Sequence, residues 1–302
     1  MDTMHKHIWQ HSVENKYSRS FFSHDGNYIY VGQTHPQSYL GFRLLKLETG
    51  TGKIIGKYPL KGGLMGSLET ETQLFVTTEK KCHILDKITL KPTGIHQKGI
   101  CSYADHIATA TEWLLTCNPR GQTICCLNLQ TGQSFKKRAE GVCGMWPGND
   151  GMFYIATKTA LIELDMRLQQ TRKIHIYDES RGADECVHYY DVSSQVFYRL
   201  GTPDSTLYVT DLVNKDEKSY ILNCSLASRI YPFLEEKKLF FAETFYPSPI
   251  VEFDISTGKQ IICSEFAGYI VKDIHPLKRV AIIYRDGFEN YEPFFELKCI
   301  SF

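Results

Sequence analysis

His188, Arg229 and Asp273 lie roughly 40 residues apart along this chain of 302 residues. An imidazole, a guanidinium and a carboxylate brought together would bind a polar or anionic ligand. They would also supply a general base for a lyase or hydrolase acting on a small polar substrate, with or without a divalent metal. A second set suits recognition rather than catalysis: His35, Tyr39, Phe245, Tyr246, Phe288 and Tyr291, with Arg285 beside them. These residues fall on Pro-containing segments at 33–39, 244–249 and 285–293. Exposed aromatics on stiffened loops bring large contact area at small entropy cost.

Both sets converge only if the chain repeats, and it does. Leu47-Glu48-Thr49-Gly50, Leu129-Gln130-Thr131-Gly132 and Asp254-Ile255-Ser256-Thr257-Gly258 each follow a short apolar run and precede another. That order predicts strand, Thr-Gly turn, strand. Turn signals after each first strand recur at Ser23-His24-Asp25-Gly26, Leu68-Glu69, Tyr103-Ala104-Asp105, Pro147-Gly148-Asn149-Asp150-Gly151, Tyr190-Asp191, Tyr231-Pro232 and His275-Pro276. Third strands align at Phe42–Leu47, His83–Asp86, Ile124–Leu129, Leu161–Asp165, Leu207–Asp211 and Ile250–Asp254. No segment holds a 3.6-residue apolar period long enough for a core helix. The period is that of a four-stranded propeller blade. It predicts an all-β, seven-bladed β-propeller spanning residues 1–302 as a single domain.

The last blade has three strands in sequence, because Phe294–Ile300 reaches the end of the chain. Residues 5–13 form an unassigned apolar segment before blade one. An open ring would leave exposed edges, so these residues are predicted to complete blade seven. Closure makes blades six, seven and one neighbours and gathers the three aromatic loops into one sector. Counting back from each turn, the matching inner-strand positions hold Ser20, Gly66, Ser102, Gly144, His188, Arg229 and Asp273. Tyr190, Tyr231 and His275 are expected to pack between blades.

The pattern resembles the broad superfamily of WD40-like, YVTN-like and quinoprotein-like propellers across essentially the whole chain. The shared mark is an apolar strand ending in Asp or a similar residue, followed by a Thr-Gly turn. The Trp-Asp and Gly-His pairs of true WD40 blades are absent. The superfamily holds enzymes, binders and scaffolds, so the resemblance implies a fold and leaves the function open.

Composition narrows the partners. Lys+Arg and Asp+Glu number 34 each, which gives no electrostatic reason to expect nucleic acid or an anionic membrane. No apolar run approaches a membrane span, and the N-terminus lacks a secretory pattern. The ten Cys sit mostly in apolar strands without Cys-x-x-Cys spacing, which predicts reduced, buried thiols in the cytoplasm and no zinc site. His5, His7 and His11 share one strand, where solvated positions are expected rather than metal ligands. The expectation is a non-catalytic binding protein without cofactor or metal. It would recognise a protein, peptide or other ligand through His35, Tyr39, Arg229, Phe245, Tyr246, Asp273, Arg285, Phe288 and Tyr291.

Overall fold

In a computed structural model, the described residues are 6–13, 16–34, 42–79, 81–94, 106–118, 122–176, 187–201, 205–223, 229–243, 246–264, 266, 268–289 and 292–302. Strand β1 (Lys6–Val13) precedes blade one, which is β2 (Lys16–Phe22), β3 (Tyr28–Thr34), β4 (Phe42–Glu48) and β5 (Ile54–Leu60). Blade two is β6 (Leu64–Glu69), β7 (Gln73–Thr78) and β8 (Cys82–Asp86). Blade three is β9 (His106–Ala110), β10 (Trp113–Asn118), β11 (Thr123–Asn128) and β12 (Ser134–Arg138). Blade four is β13 (Gly144–Pro147), β14 (Phe153–Ala156), β15 (Ala160–Leu164) and β16 (Gln170–Ile176). Blade five is β17 (Val187–Asp191), β18 (Val196–Gly201), β19 (Thr206–Asp211) and β20 (Asp216–Ile221). Blade six is β21 (Arg229–Phe233), β22 (Lys238–Ala242), β23 (Ile250–Asp254) and β24 (Gln260–Ser264). Blade seven is β25 (Ile270–His275), β26 (Val280–Glu289) and β27 (Glu292–Ser301), with β1 as its fourth strand. The chain is an all-β, seven-bladed β-propeller whose last blade is closed by the N-terminal strand, as the repeat predicts.

Burial follows strand position. Second and third strands such as β7, β11 and β22 are buried along nearly their whole length, as strands covered on both faces must be. Fourth strands β5, β12 and β20 are mostly exposed and carry Lys, Arg, Glu or Pro. Pairing shifts by one residue in β5, β16 and β24. Charges, Pro and bulges on outer strands discourage edge-to-edge association.

The chain divides into two compact units, Leu64–Tyr220 and Met1–Gly63 with Ile221–Phe302. In the first of these, blades two to five pack through clusters such as Phe75, Ile84 and Leu114, or Trp113, Leu115, Phe153 and Ile155. Tyr190 is buried against Tyr154, Leu161 and Phe197 between blades four and five, as expected. In the second unit, Phe22, Ile29 and Leu45 of blade one meet Ile282, Tyr284 and Leu297 of blade seven, with Trp9 of β1 among them. Tyr231 and Phe240 of blade six meet Val271, Ile274 and Ile283 of blade seven.

The recurring turn has a physical rule. The last residue of the third strand accepts hydrogen bonds from the turn that follows. Asp86 Oδ1 accepts from the Thr89 N–H (2.7 Å), Asn128 Oδ1 from Thr131 (2.8 Å), and Asp254 Oδ1 from Thr257 (2.8 Å). Asp165 and Asp211 do the same for Gln169 and Asn214. Four residues after the acceptor the backbone turns left-handed, at Gly52, Leu90, Gly132, Lys215 and Gly258; in blade four this falls at Leu168, three residues on. Such Asx turns suit Asp and Asn, whose short side chains reach their own backbone.

Three expectations need correction. The Thr49-Gly50 pair is not the equivalent of Thr131-Gly132, because the left-handed glycine after the Glu48 acceptor is Gly52. The first strand of blade three is His106–Ala110, so the position counted as Ser102 precedes it; Ser102 lies outside the described residues. The supposed long loop 285–293 is a hairpin extension, with Arg285 to Glu289 paired against Glu296 to Glu292. Its polar composition reads as loop, but cross-strand pairs such as Arg285 with Glu296 hold it as strand. Among the described residues, the fourth position of blade two holds a single bridge from Leu85 to Pro92, and Pro cannot donate to a ladder.

Candidate functional site

Arg229 opens β21 and Asp273 lies within β25, on neighbouring blades of one unit. Their nearest charged atoms are 3.9 Å apart, with the Asp273 side chain 13% exposed and that of Arg229 39%. Asp273 Oδ2 accepts the Phe22 N–H of β2 at 2.8 Å. That N–H sits on the edge of β2 away from β3, so one carboxylate ties blade seven to blade one. Burial pushes the Asp273 carboxyl up to about 6; Arg229 and the N–H groups of Phe22 and Ile274 oppose the rise. A carboxyl in that range exchanges its proton near neutral pH, which is the property acid–base chemistry requires.

Tyr231 stands two residues after Arg229, on the same face of the strand. It is buried between blades six and seven, as expected, and burial raises its phenol above the usual range. His188 belongs to the other unit. Its ring is buried and stacks on Phe197 at 5.3 Å, and its backbone pairs with Arg199. Arg199 in turn lies over the Tyr208 ring at 4.3 Å.

Of the recognition set, the described side chains are Arg229, Tyr246, Asp273 and Arg285. His35, Tyr39, Phe245 and Tyr291 lie outside the described residues, as does the Phe288 side chain. Tyr246 is 67% exposed and is followed by Pro247 and Pro249 on the connection from β22 to β23. Arg285 is built into a cluster that sequence reading did not find. Its Nη2 lies 2.9 Å from Glu296 Oε2, and its guanidinium covers the Tyr269 ring at 4.8 Å. Lys298 reaches both the same carboxylate (3.5 Å) and the same ring (4.6 Å). The Tyr269 hydroxyl and the Gln10 amide also donate to Glu296. The Glu296 carboxyl is held below its usual range, its burial outweighed by Tyr269, Lys298 and Arg285. The only sequence signal was the alternation of Glu296 and Lys298 in an otherwise apolar strand.

A second buried carboxylate, Glu252 of β23, takes Lys238 at 3.1 Å and Arg279 at 2.9 Å. Arg279 also lies over the Phe240 and Phe302 rings and donates to the Phe302 carbonyl, joining blades six and seven.

Among the described residues, no group of three or more His, Cys, Asp or Glu is placed to hold a metal ion, and no helix is long and apolar enough to cross a membrane. His11 of the N-terminal strand lies 2.7 Å from the Gly52 carbonyl oxygen. No family model matches the chain, and no curated protein does either. The class defined here is therefore that of the fold, a seven-bladed β-propeller.

Proposed function

We propose that the protein is a non-catalytic binding protein that recognises a protein or peptide partner with the ends of blades six, seven and one. The observation that carries this reading is Tyr246, an aromatic ring 67% exposed on a Pro-stiffened connection. Arg285 supports it: the guanidinium is pre-set by Glu296 and Tyr269 yet remains 43% exposed. Tyr and Arg dominate binding energy at interfaces, and fixing them in advance lowers the entropy lost on association. Free thiols at Cys82, Cys117, Cys125, Cys126 and Cys263 support a reducing compartment such as the cytoplasm. Selection from a displayed peptide library tests the reading. Peptides enriched on the wild type should bind at least tenfold more weakly to Tyr246→Ala and Arg285→Ala proteins of unchanged melting temperature. Equal binding to the variants, or no enrichment, overturns it.

A second reading, a lyase or hydrolase acting on a small polar substrate, draws on the near-neutral carboxyl of Asp273 beside Arg229. Turnover abolished by Asp273→Asn would establish it in place of the first.

A further inference from the structure

One outer strand differs from the rest. β12 carries Lys136, Lys137 and Arg138, β16 carries Arg172 and Lys173, and β20 carries Asp216, Glu217 and Lys218. β5 carries Lys57 and Pro59, and β1 carries Lys6. β24, Gln260-Ile261-Ile262-Cys263-Ser264, has neither charge nor proline. Among the described residues it is the last strand of its sheet. Ile261 is 50% exposed and Ile262 46%. The Gln260 side chain donates to the Ile221 carbonyl at 2.6 Å and accepts the Asn223 N–H at 2.7 Å, so the exposed Ile221 stands beside the strand. An uncharged apolar edge is a template for pairing, and proteins that remain single blunt it.

The backbone shows what this edge offers. The Asp254 N–H donates to the Lys259 carbonyl at 2.9 Å, which turns Lys259 toward β23. Pairing then runs without a shift through Phe253–Gln260, Glu252–Ile261 and Val251–Ile262, and the bulge comes only after Ile262. Ladder bonds alternate along an antiparallel strand, so Ile261 uses its N–H and C=O on β23 while Gln260 and Ile262 present theirs outward.

We infer that β24 is the contact of a two-fold dimer, pairing antiparallel with β24 of a second copy about an axis at Ile261. Gln260 of each copy exchanges its N–H and C=O bonds with Ile262 of the other. Ile261 faces its twin across the axis in the close, non-hydrogen-bonded position, where side chains meet. A second copy is the occupant because the strand is complementary to itself under that rotation. Ile261 meets Ile261, Gln260 meets Ile262 and Lys259 meets Cys263, with no like charges opposed. The same operation on β12, centred on Lys136 or Lys137, sets lysine against lysine. The contact involves neither Tyr246 nor Arg285, so it stands apart from partner recognition by that sector. It is short against the roughly 1,600 Å² of a standard interface, so its dissociation constant should be on the order of 10–100 µM.

Sedimentation velocity of the full chain from about 1 to 500 µM tests it. The wild type should pass from monomer to dimer across that range. Ile261→Lys and Ile261→Glu should each remain monomeric with melting temperatures near that of the wild type. An equimolar mixture of the two should dimerise again, because opposite charges then face each other at the axis. Tyr246→Ala should leave the dimer intact. In amide exchange of the wild type, the Gln260 and Ile262 N–H groups should slow as concentration rises, while that of Ile261 should not change. Should a charged variant fail to fold, this exchange pattern decides the matter. Four results each overturn the inference: a wild type monomeric throughout, a dimer that survives Ile261→Lys, a mixture that stays monomeric, or exchange at Gln260 and Ile262 indifferent to concentration.

Discussion

Replacing Trp9 with Ala should weaken the whole protein rather than fray one end. Trp9 is buried on β1 among Phe22, Ile29, Leu45 and Leu47 of blade one and Ile282, Leu297 and Cys299 of blade seven. Its Nε1 donates to the Thr49 carbonyl at 2.6 Å. The ring lies directly on the left-handed Gly52, where an added Cβ would stand 2.6 Å from Trp9 Cδ2. Truncating a buried Trp costs about 3–5 kcal/mol, and the lost hydrogen bond about 1 more. Set against a total stability of about 5–15 kcal/mol, this is a large fraction. Trp9→Phe keeps most of the ring and loses the bond, so it should cost about 1–2 kcal/mol. Equilibrium urea unfolding, read from the midpoint at constant slope, measures both. Deleting residues 1–13 removes all the pairing from Lys6–Ser301 to Val13–Phe295 and bares the edge of β27. A synthetic peptide of residues 1–15 should then restore stability in trans. The reasoning fails if Trp9→Ala costs less than about 1 kcal/mol, or if the deletion leaves the midpoint unchanged.

Three further outcomes follow from the same unit. Gly26→Ala should destabilise by about 1–3 kcal/mol, because its φ is +64° and the new Cβ would meet His275 Nε2 at 2.7 Å; a thermal melt that did not fall would contradict this. The Asp273 carboxyl lies above its unfolded value, so its favourable contribution is present at low pH and is lost as pH rises through about 6. Asp273→Asn should accordingly gain about 2 kcal/mol at pH 7.5 relative to pH 4, measured as the difference between two urea series. The Glu296 carboxyl is depressed, so its contribution is present above the ordinary carboxylate range and lost as pH falls through the depressed value. Glu296→Gln should cost about 1–3 kcal/mol at pH 7 by leaving Arg285 and Lys298 beside a neutral amide, with the gap closing in acid; an equal gap at pH 3 would refute the assignment.

The blades were legible because a four-stranded meander repeats its apolar runs and turn residues at a fixed spacing. Even β1 could be placed, since an unpaired last blade demands a fourth strand. Legibility failed where one chemistry serves two structures. Asp286-Gly287 reads as a turn but lies in a ladder, held by pairing that only a three-dimensional neighbour supplies. Tyr103-Ala104-Asp105 has the composition of a turn and stands before the strand it was expected to follow. The Glu296 cluster could not be foreseen, because its members come from positions 10, 269, 285, 296 and 298 and meet only after blade seven is closed by β1. Arg229 and Asp273 were found because equivalent positions in adjacent blades must be neighbours.

The left-handed slot behind the third strands of blades one to six has a consequence for descent. Gly fills it at 52, 132 and 258, but Leu90 and Leu168 fill it too, with their side chains turned into the core. A non-glycine residue there costs on the order of 1–3 kcal/mol of backbone strain, and burying a leucine returns about as much. The two solutions are therefore close in cost where the slot opens onto core, as at Leu90 and Leu168, whereas at Gly52 the Trp9 ring, 2.6 Å from where a Cβ would stand, holds the slot to glycine. What lineages of such a fold inherit is a torsion angle and an acceptor four residues earlier, which an alphabet of residue identities records only in part.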